Sequence, residues 1–503
     1  MAKIDIKSIT DIIKEQIEQY KDEVSKENVG KIISIADGIC QVYGLKKAMM
    51  GELILFKDGI SGMVLNLEET HVGVVIFNGS ELLKQNDTCK TTGKLFEIPV
   101  GEEMLGRVIN PLGSPIDLNG GLITEQFRPI ESEAYGVMQR DFVTEPLETG
   151  IKVIDALVPI GKGQRQLIIG DRQTGKSTIA IDTILNQKGK DVICIYVSIG
   201  QKESSVASTV ELLNAKDALK YTIVISAGPA LEATLLYLAP FSGITIAEYF
   251  LKQGKNILIV FDDLSKHADS YRQLSLLLKR PPGREAYPGD IFYLHSRLLE
   301  RCAKVNSECL GGSITGLPIV ETQNSDISAY IPTNIISITD GQIFLERDLF
   351  NRGIRPAINS GLSVSRVGGS AQWKAMRSVA STLRLELASY NELASFAQFG
   401  AELDEASRKR LQRGALIEEL FKQDLHNVKS LTTQIIVLYA LKNGMLDEFN
   451  INKLTAFETE VEQNLRIGDL GKQLNSYIHT NHSLPDDTLI IEKFIKDTMR
   501  FIE

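Results

Sequence analysis

The stretch GDRQTGKS, residues 170–177, constrains this chain more than any other. A glycine, four variable positions and then Gly-Lys-Ser form the pattern of a loop that wraps nucleotide phosphates. It follows the apolar run QLIIG (166–170) and precedes TIAIDTIL, so the expected context is strand, loop, helix. Gly170 and Gly175 let backbone N–H groups approach phosphate without a Cβ in the way, and the helix N-terminus adds positive potential. Lys176 is placed to reach the β- and γ-phosphates and the Ser177 hydroxyl to bind Mg²⁺. The whole loop, Gly170, Asp171, Arg172, Gln173, Thr174, Gly175, Lys176 and Ser177, is therefore the candidate site for ATP or ADP.

A phosphate loop needs a partner strand carrying an acid on the metal side. NILIVFDD (256–263) fits, with Asp262 at the strand's C-terminal edge, holding the ion directly or through water, and Asp263 as rival or as cap of the next helix. Binding is not hydrolysis, which needs a group to align or activate the attacking water, often a carboxylate. Here the strand DVICIYVSIG (191–200) runs into Gln201, an amide that accepts no proton at neutral pH. Glu203, two residues on, reads as a surface or interface residue.

The rest of the chain falls into regions. Residues 1–27 place Ile6, Ile9, Ile13, Ile17, Tyr20 and Val24 on one helical stripe. Residues 28–95 hold short β-rich runs with glycine turns, expected to form a small β-barrel or sandwich. Residues 96–371 alternate near-continuous Ile/Val runs with helical stretches; QLIIG, DVICIYVSIG, YTIVISAG (221–228), NILIVFDD and NIISITDG (334–341) are expected as strands of a mainly parallel α/β sheet. Residues 372–503 are expected to be an α-helical domain, with Ser430 capping one helix and Gly444 ending it.

Composition narrows the classes. The 503 residues suffice for about three domains, and a net charge of −9 argues against nucleic acid as the main partner. Five dispersed cysteines read as reduced thiols in a cytoplasm-like compartment rather than a disulfide framework. His479 and His482 read as surface residues. No uninterrupted apolar run reaches the roughly 20 residues needed to span a bilayer, and the first residues carry neither a signal core nor a transit-peptide pattern.

Longer stretches carry a resemblance: TGIKVIDALVPIGKGQRQLIIGDRQTGKSTIAIDTILNQ (149–187), IYVSIGQKES (195–204), DDLSKHADSYRQLSLLLKRPPGREAYPGD (262–290), FYLHSRLLER (292–301) and GIRPAINSGLSVSRVGGSAQ (353–372), with GVMQR at 136–140. Over nearly its whole length the chain resembles the alpha subunits of F-type (rotary) ATP synthases, bacterial type. The resemblance implies a barrel, a nucleotide-binding domain and a helical domain; a noncatalytic nucleotide site marked by Gln201; and an alternating hexamer with beta subunits around a gamma shaft. It places an arginine reaching into the neighbouring beta site at Arg366, an interface serine at Ser337, and an adenine pocket at Arg355, Pro356 and Gln423, with Leu425 where many relatives carry a second glutamine. It makes RPPGREAYPGD (280–290) the loop facing the shaft and the N-terminal stripe a docking helix for the delta subunit of the peripheral stalk. It implies a peripheral membrane protein on the cytoplasmic side of the cell membrane. The alternative is a self-sufficient hexameric ATPase, a secretion or helicase motor, which would need a carboxylate at position 201 or an active Glu203.

Overall fold

The computed structural model describes residues 29–398, 404–447 and 449–502. The expected docking helix at residues 1–27 lies outside them.

Six strands, β1 (Val29–Ala36), β2 (Ile39–Tyr43), β3 (Glu52–Phe56), β4 (Ser61–Leu67), β5 (Val72–Ile76) and β6 (Thr88–Leu95), close into a barrel in the order β1-β2-β5-β4-β3-β6. Ile32, Val42, Ile54, Val64, Val74 and Ile76 fill its interior. Closure settles the choice between barrel and sandwich. It depends on β6, whose sequence TCKTTGKL shows no apolar alternation. Only its Cys89 is buried, opposite Gly30 of β1. A strand with one inward anchor leaves almost no hydrophobic signature, and it is held by the ladders to β1 and β3.

After a ribbon of β7 (Glu97–Val100) and β9 (Gln126–Pro129) comes the main sheet. Its strands are β8 (Val108–Ile109), β10 (Leu167–Asp171), β11 (Val192–Ile199), β12 (Thr222–Ala227), β13 (Asn256–Asp262), β14 (Ser313–Thr322), β15 (Gly341–Leu345) and β16 (Val364–Ser365). The order is β16-β15-β10-β14-β13-β11-β12-β8. Every pairing is parallel except β15 with β16. Alternate residues of β11 enter opposite cores: Cys194 and Tyr196 face one, Ile195, Val197 and Ile199 the other. Burial on both faces is why these strands read as unbroken apolar runs.

One expected strand is a helix. NIISITDG was read as sheet, but Tyr330–Ile338 is helical and the strand begins only at Gly341. Ile331, Ile335 and Ile338 are buried at spacings of four and three, while Thr333 and Ser337 are exposed. A short apolar run has no period of its own, and helix and strand are not separable from it alone. β14, central in the sheet, carries Thr, Gly and Pro within SITGLPIVET and gave no such run.

The helix Ala233–Leu251 is long and apolar enough, by length and composition, to cross a membrane; most of it is instead buried inside the protein, packed on β11, β12 and β13. Its one buried carboxylate, Glu248, takes two hydrogen bonds from Arg301, at 2.6 and 2.9 Å. Arg301 also donates to the Ile130 carbonyl and the Thr245 hydroxyl. It is 1% exposed, with its charge fully paired.

Beyond residue 373 the described elements are helices: Lys374–Ala380, Leu383–Gln398, Glu405–Phe421, Leu431–Lys442, Leu454–Ile467, Asp469–Asn481 and Leu489–Arg500, with a short 3-10 turn at Ile451–Lys453. Leu431–Lys442 is buried on all sides up to Leu441, Thr432, Thr433 and Gln434 included, and so shows no single apolar stripe. The Ser430 hydroxyl accepts from the Thr433 N–H at its start, and Gly444 takes φ 71° just past its end. His479 and His482 pack against the Trp373 indole, His482 stacked at 4.4 Å between centroids. All five cysteines are free thiols, four of them buried.

Candidate functional site

β10 ends at Asp171 and the following helix, Lys176–Leu185, begins at Lys176, so the loop joins strand to helix. Gln173 and Gly175 lie in the left-handed region, at φ 61° and 97°. A Cβ at Gly170 would stand 2.5 Å from the Leu345 carbonyl oxygen, so β15 admits only glycine there. Lys176 folds back with Nζ 2.5 Å from the Asp171 carbonyl oxygen, which the Thr174 hydroxyl also meets at 2.8 Å. Burial pulls the Lys176 ammonium below its usual pKa, against the pull of Glu321, Asp263, Asp262 and Asp171. An ammonium largely stripped of water is a strong partner for an anion entering the loop.

Two loop residues turn their side chains away. The Asp171 carboxylate accepts from the Thr322 hydroxyl at 2.7 Å and the Ser325 N–H at 2.8 Å. Arg172 pairs with Glu321 at 2.9 Å. Both hold the loop to the end of β14; Asp171 is buried there, while the Arg172 side chain stays largely exposed.

The strand tips form a second cluster. Asp262 is buried; it accepts from the Tyr196 hydroxyl at 2.7 Å and the Gln201 amide at 3.1 Å, and the Ser177 hydroxyl bonds to it as well. Burial raises its pKa, and these donors, with Lys176 nearby, lower it. A hydroxyl and a carboxylate side by side are hard oxygen donors of the kind a divalent cation takes alongside phosphate oxygens. Asp263 caps the helix Leu264–Leu277 by accepting from the Lys266 N–H at 2.8 Å. Burial and the neighbouring Asp262 charge push its pKa up to about 7. Glu203 is exposed at the start of the helix Glu203–Ala215.

The loop opens into a cavity of about 980 Å³. Its far end is lined by Phe350, Arg355, Pro356, Gln423 and Leu425. The Arg355 guanidinium lies 4.2 Å from the Phe350 ring centroid. The Gln423 amide donates to the Gly150 and Asn427 carbonyls and accepts from the Lys152 N–H. Gln423 therefore shapes this wall with a side chain whose polar atoms are already bonded. Leu425 is 65% exposed at the rim.

Sequence reading missed three side-chain pairings here. Buried Lys152 pairs with Glu458, and Lys429 with Glu462 at 3.1 Å, tying the wall to the helix Leu454–Ile467. Asp182 pairs with His426 at 2.7 Å. The partners are hundreds of residues apart or carry no local pattern, so no motif marks them.

Arg366 and Ser337 are not part of this cavity. Arg366 is exposed, its backbone N–H donating to the Asp340 carbonyl, and its guanidinium makes no hydrogen bond or ion pair among the described residues. Ser337 is exposed on its helix, its hydroxyl donating to the Thr333 carbonyl at 2.6 Å. Residues 280–290 form a projecting loop closed by a Pro282–Pro288 bridge and a 2.7 Å bond from Gly283 N–H to the Tyr287 carbonyl.

Barrel, parallel sheet with phosphate loop, and helical region together define a P-loop nucleotide-binding protein. Three models of one family match in chain order: the ATP synthase alpha/beta family beta-barrel domain at residues 26–93, its nucleotide-binding domain at 150–365, and its C-terminal domain at 372–498. ATP synthase subunit alpha of Acholeplasma laidlawii (strain PG-8A) is 59% identical over 502 residues, covering 100% of both chains. The same subunit of Macrococcus caseolyticus (strain JCSC5402) is 57% identical over 97% of both, and that of Staphylococcus haemolyticus (strain JCSC1435) 56% over 96% of both. The chain belongs to the ATP synthase alpha/beta family, among its alpha subunits. These relationships do not favour a self-sufficient hexameric ATPase.

Proposed function

We propose that the chain holds an adenine nucleotide without hydrolysing it and serves catalysis in a neighbouring beta subunit. Gly170 to Ser177 cradle the phosphates through their N–H groups, with Lys176 as the charged donor. Ser177 and Asp262 would hold Mg²⁺, which would supply neutralisation of phosphate charge. Arg355, Pro356 and Gln423 form the adenine end.

The observation that carries this reading is at the strand tip. Position 201 is an amide, and it donates to Asp262 at 3.1 Å instead of presenting a base to water. The nearest alternative, Glu203, is exposed. Asp262 itself is occupied by Tyr196 and Gln201.

In the proposed ring, alpha and beta subunits alternate around gamma, delta docks on residues 1–27, and the assembly sits on the cytoplasmic face of the membrane. The domain limits are 28–95, 96–371 and 372–503. Arg366 reaches the adjacent beta site, where a guanidinium stabilises charge on the transferring phosphoryl group. Ser337 lies at the same interface, and the 280–290 loop bears on the shaft. Exposure of Arg366, and a guanidinium with no bond among the described residues, support this assignment.

The test is nucleotide binding and turnover by the purified full-length chain, alone and then with beta and gamma partners. The chain alone is expected to bind Mg·ADP and release almost no phosphate from ATP. Lys176→Ala is expected to weaken that binding at least about tenfold, the loss of a charge-assisted bond. Robust turnover by the chain alone would overturn the reading.

A further inference from the structure

The wall at the far end of the cavity is a loop, residues 423–429, anchored at two ends and in the middle. At its ends, the Gln423 side chain bonds to Gly150 and Lys152, and the Lys429 N–H donates to the Gly150 carbonyl at 2.9 Å. Both ends are thus tied to residues 149–152. Between them the backbone turns sharply: the Asn427 N–H meets the Asp424 carbonyl at 3.2 Å, and His426 takes a left-handed φ of 58°.

That turn aims the His426 ring at a different element. Its Nδ1 lies 2.7 Å from Oδ1 of Asp182, which sits in the second turn of the helix that begins at Lys176. Asp182 lines the cavity and is 7% exposed. The chain spends two ordinarily unfavourable features on this contact, a carboxylate in a largely buried position and a non-glycine residue in the left-handed region. His426 is the only named side chain of residues 424–428 that bonds to this helix among the described residues. Leu425, immediately before it, hangs over the rim with no polar anchor of its own.

We propose that His426 is a positioning residue of this nucleotide site, clipping the base-contacting loop to the phosphate-loop helix through Asp182. The clip joins the two halves of the site. The helix whose N-terminus meets phosphate carries, two turns along, the carboxylate that holds the base wall in place. Without it the loop keeps its end ties and its internal Gln423–Asn427 bond but loses its side-chain hold on the helix, so that Leu425 is expected to move off the base. The inference rests on the reading that the cavity takes an adenine nucleotide with its base at the 423–425 wall.

The mechanism predicts loss of base-dependent affinity only. Binding of ADP and of inorganic tripolyphosphate is measured on the full-length chain, for wild type, His426→Ala, His426→Asn, Asp182→Ala and the His426/Asp182 double alanine variant. Asparagine tolerates the left-handed conformation, so His426→Asn removes the ring contact without adding backbone strain. Each single variant is expected to weaken ADP about tenfold, the size of one lost charge-assisted bond, and tripolyphosphate less than about twofold. The double variant is expected to be no weaker than Asp182→Ala, because that carboxylate meets both the ring and the backbone of His426. Equal weakening of both ligands, unchanged ADP affinity, or additive losses would overturn the clip. Lys176→Ala separates this from the underlying reading: it should weaken both ligands, and if it weakens neither while the wild type binds them, the phosphate-loop assignment itself falls.

Discussion

Two arginines in this chain are solved in opposite ways. Arg301 is sealed in the interior beneath the apolar helix Ala233–Leu251, with bonds to Glu248, Ile130 and Thr245. Arg366 stands at the surface beside the edge strand β16, its guanidinium without a bond among the described residues. Taking a guanidinium out of water costs several kcal/mol, which only close, complete pairing offsets. Arg301 meets that condition and is bound to the fold. Arg366 is exposed, so its charge remains available to whatever approaches that edge. The contrast separates residues that hold the molecule together from those free to act outside it.

The strongest way to break the comparison is to remove the free arginine. Arg366→Ala, assembled with beta and gamma partners, is expected to lower turnover about 10³-fold, as for loss of a charge-stabilising arginine in phosphoryl transfer. Its melting temperature should match wild type. Unchanged turnover, or a large loss of stability, would put Arg366 in the same class as Arg301.

Removing the sealed arginine should do the reverse. Arg301→Ala leaves Glu248 buried and unpaired, and denaturant unfolding is expected to show a loss of about 3–5 kcal/mol. Arg301→Met with Glu248→Leu should recover much of this, because both charges go together.

The same interior seam offers a pH test. His267 and His295 meet at 3.3 Å, and His267 also reaches the Tyr237 carbonyl of the apolar helix at 3.1 Å. Burial pulls the His295 pKa down to about 4. The unfolded imidazole protonates near pH 6.5, so between those values the unfolded chain binds the extra proton. Stability from this residue is complete above about pH 6.5 and is lost as pH falls toward about 4. Unfolding measured from pH 7 to 4 should show a shallower acid slope for His295→Gln, by roughly 1–3 kcal/mol at the acid end. An unchanged slope would place the acid sensitivity elsewhere.

The smallest effect is local. Ser430→Ala removes the cap of the helix Leu431–Lys442 and is expected to cost about 1 kcal/mol, read from the unfolding midpoint, with nucleotide binding unchanged.

Legibility followed the range of the interactions. GDRQTGKS announced its loop because glycines, lysine and hydroxyl must stand at set spacings for one backbone turn to work. Ser430 and Asp263 announced caps because a cap bonds within three residues. The core strands were visible where both faces are buried. β6 was not, since only Cys89 points inward, and Tyr330–Ile338 was misread because five apolar-rich residues carry no decisive period. At the site, Lys176, Ser177, Asp262 and Gln201 were all legible and the structure brings them together. The motif names Asp171 and Arg172 with the rest of the loop, and only the fold shows that the Asp171 carboxylate is bonded to Thr322 and Ser325 and that Arg172 pairs with Glu321.

By itself the sequence determined the phosphate loop, the acid strand beside it, the amide where a base would stand and the succession of β, α/β and α regions. Each is encoded within about ten neighbouring residues, where backbone geometry alone relates position to role. Only the tertiary structure decided which polar side chains are paired: Arg301 with Glu248, Lys152 with Glu458, and His426 with Asp182. Those partners lie 53, 306 and 244 positions apart. A charge shows its partner only after folding removes the water that would otherwise hold it.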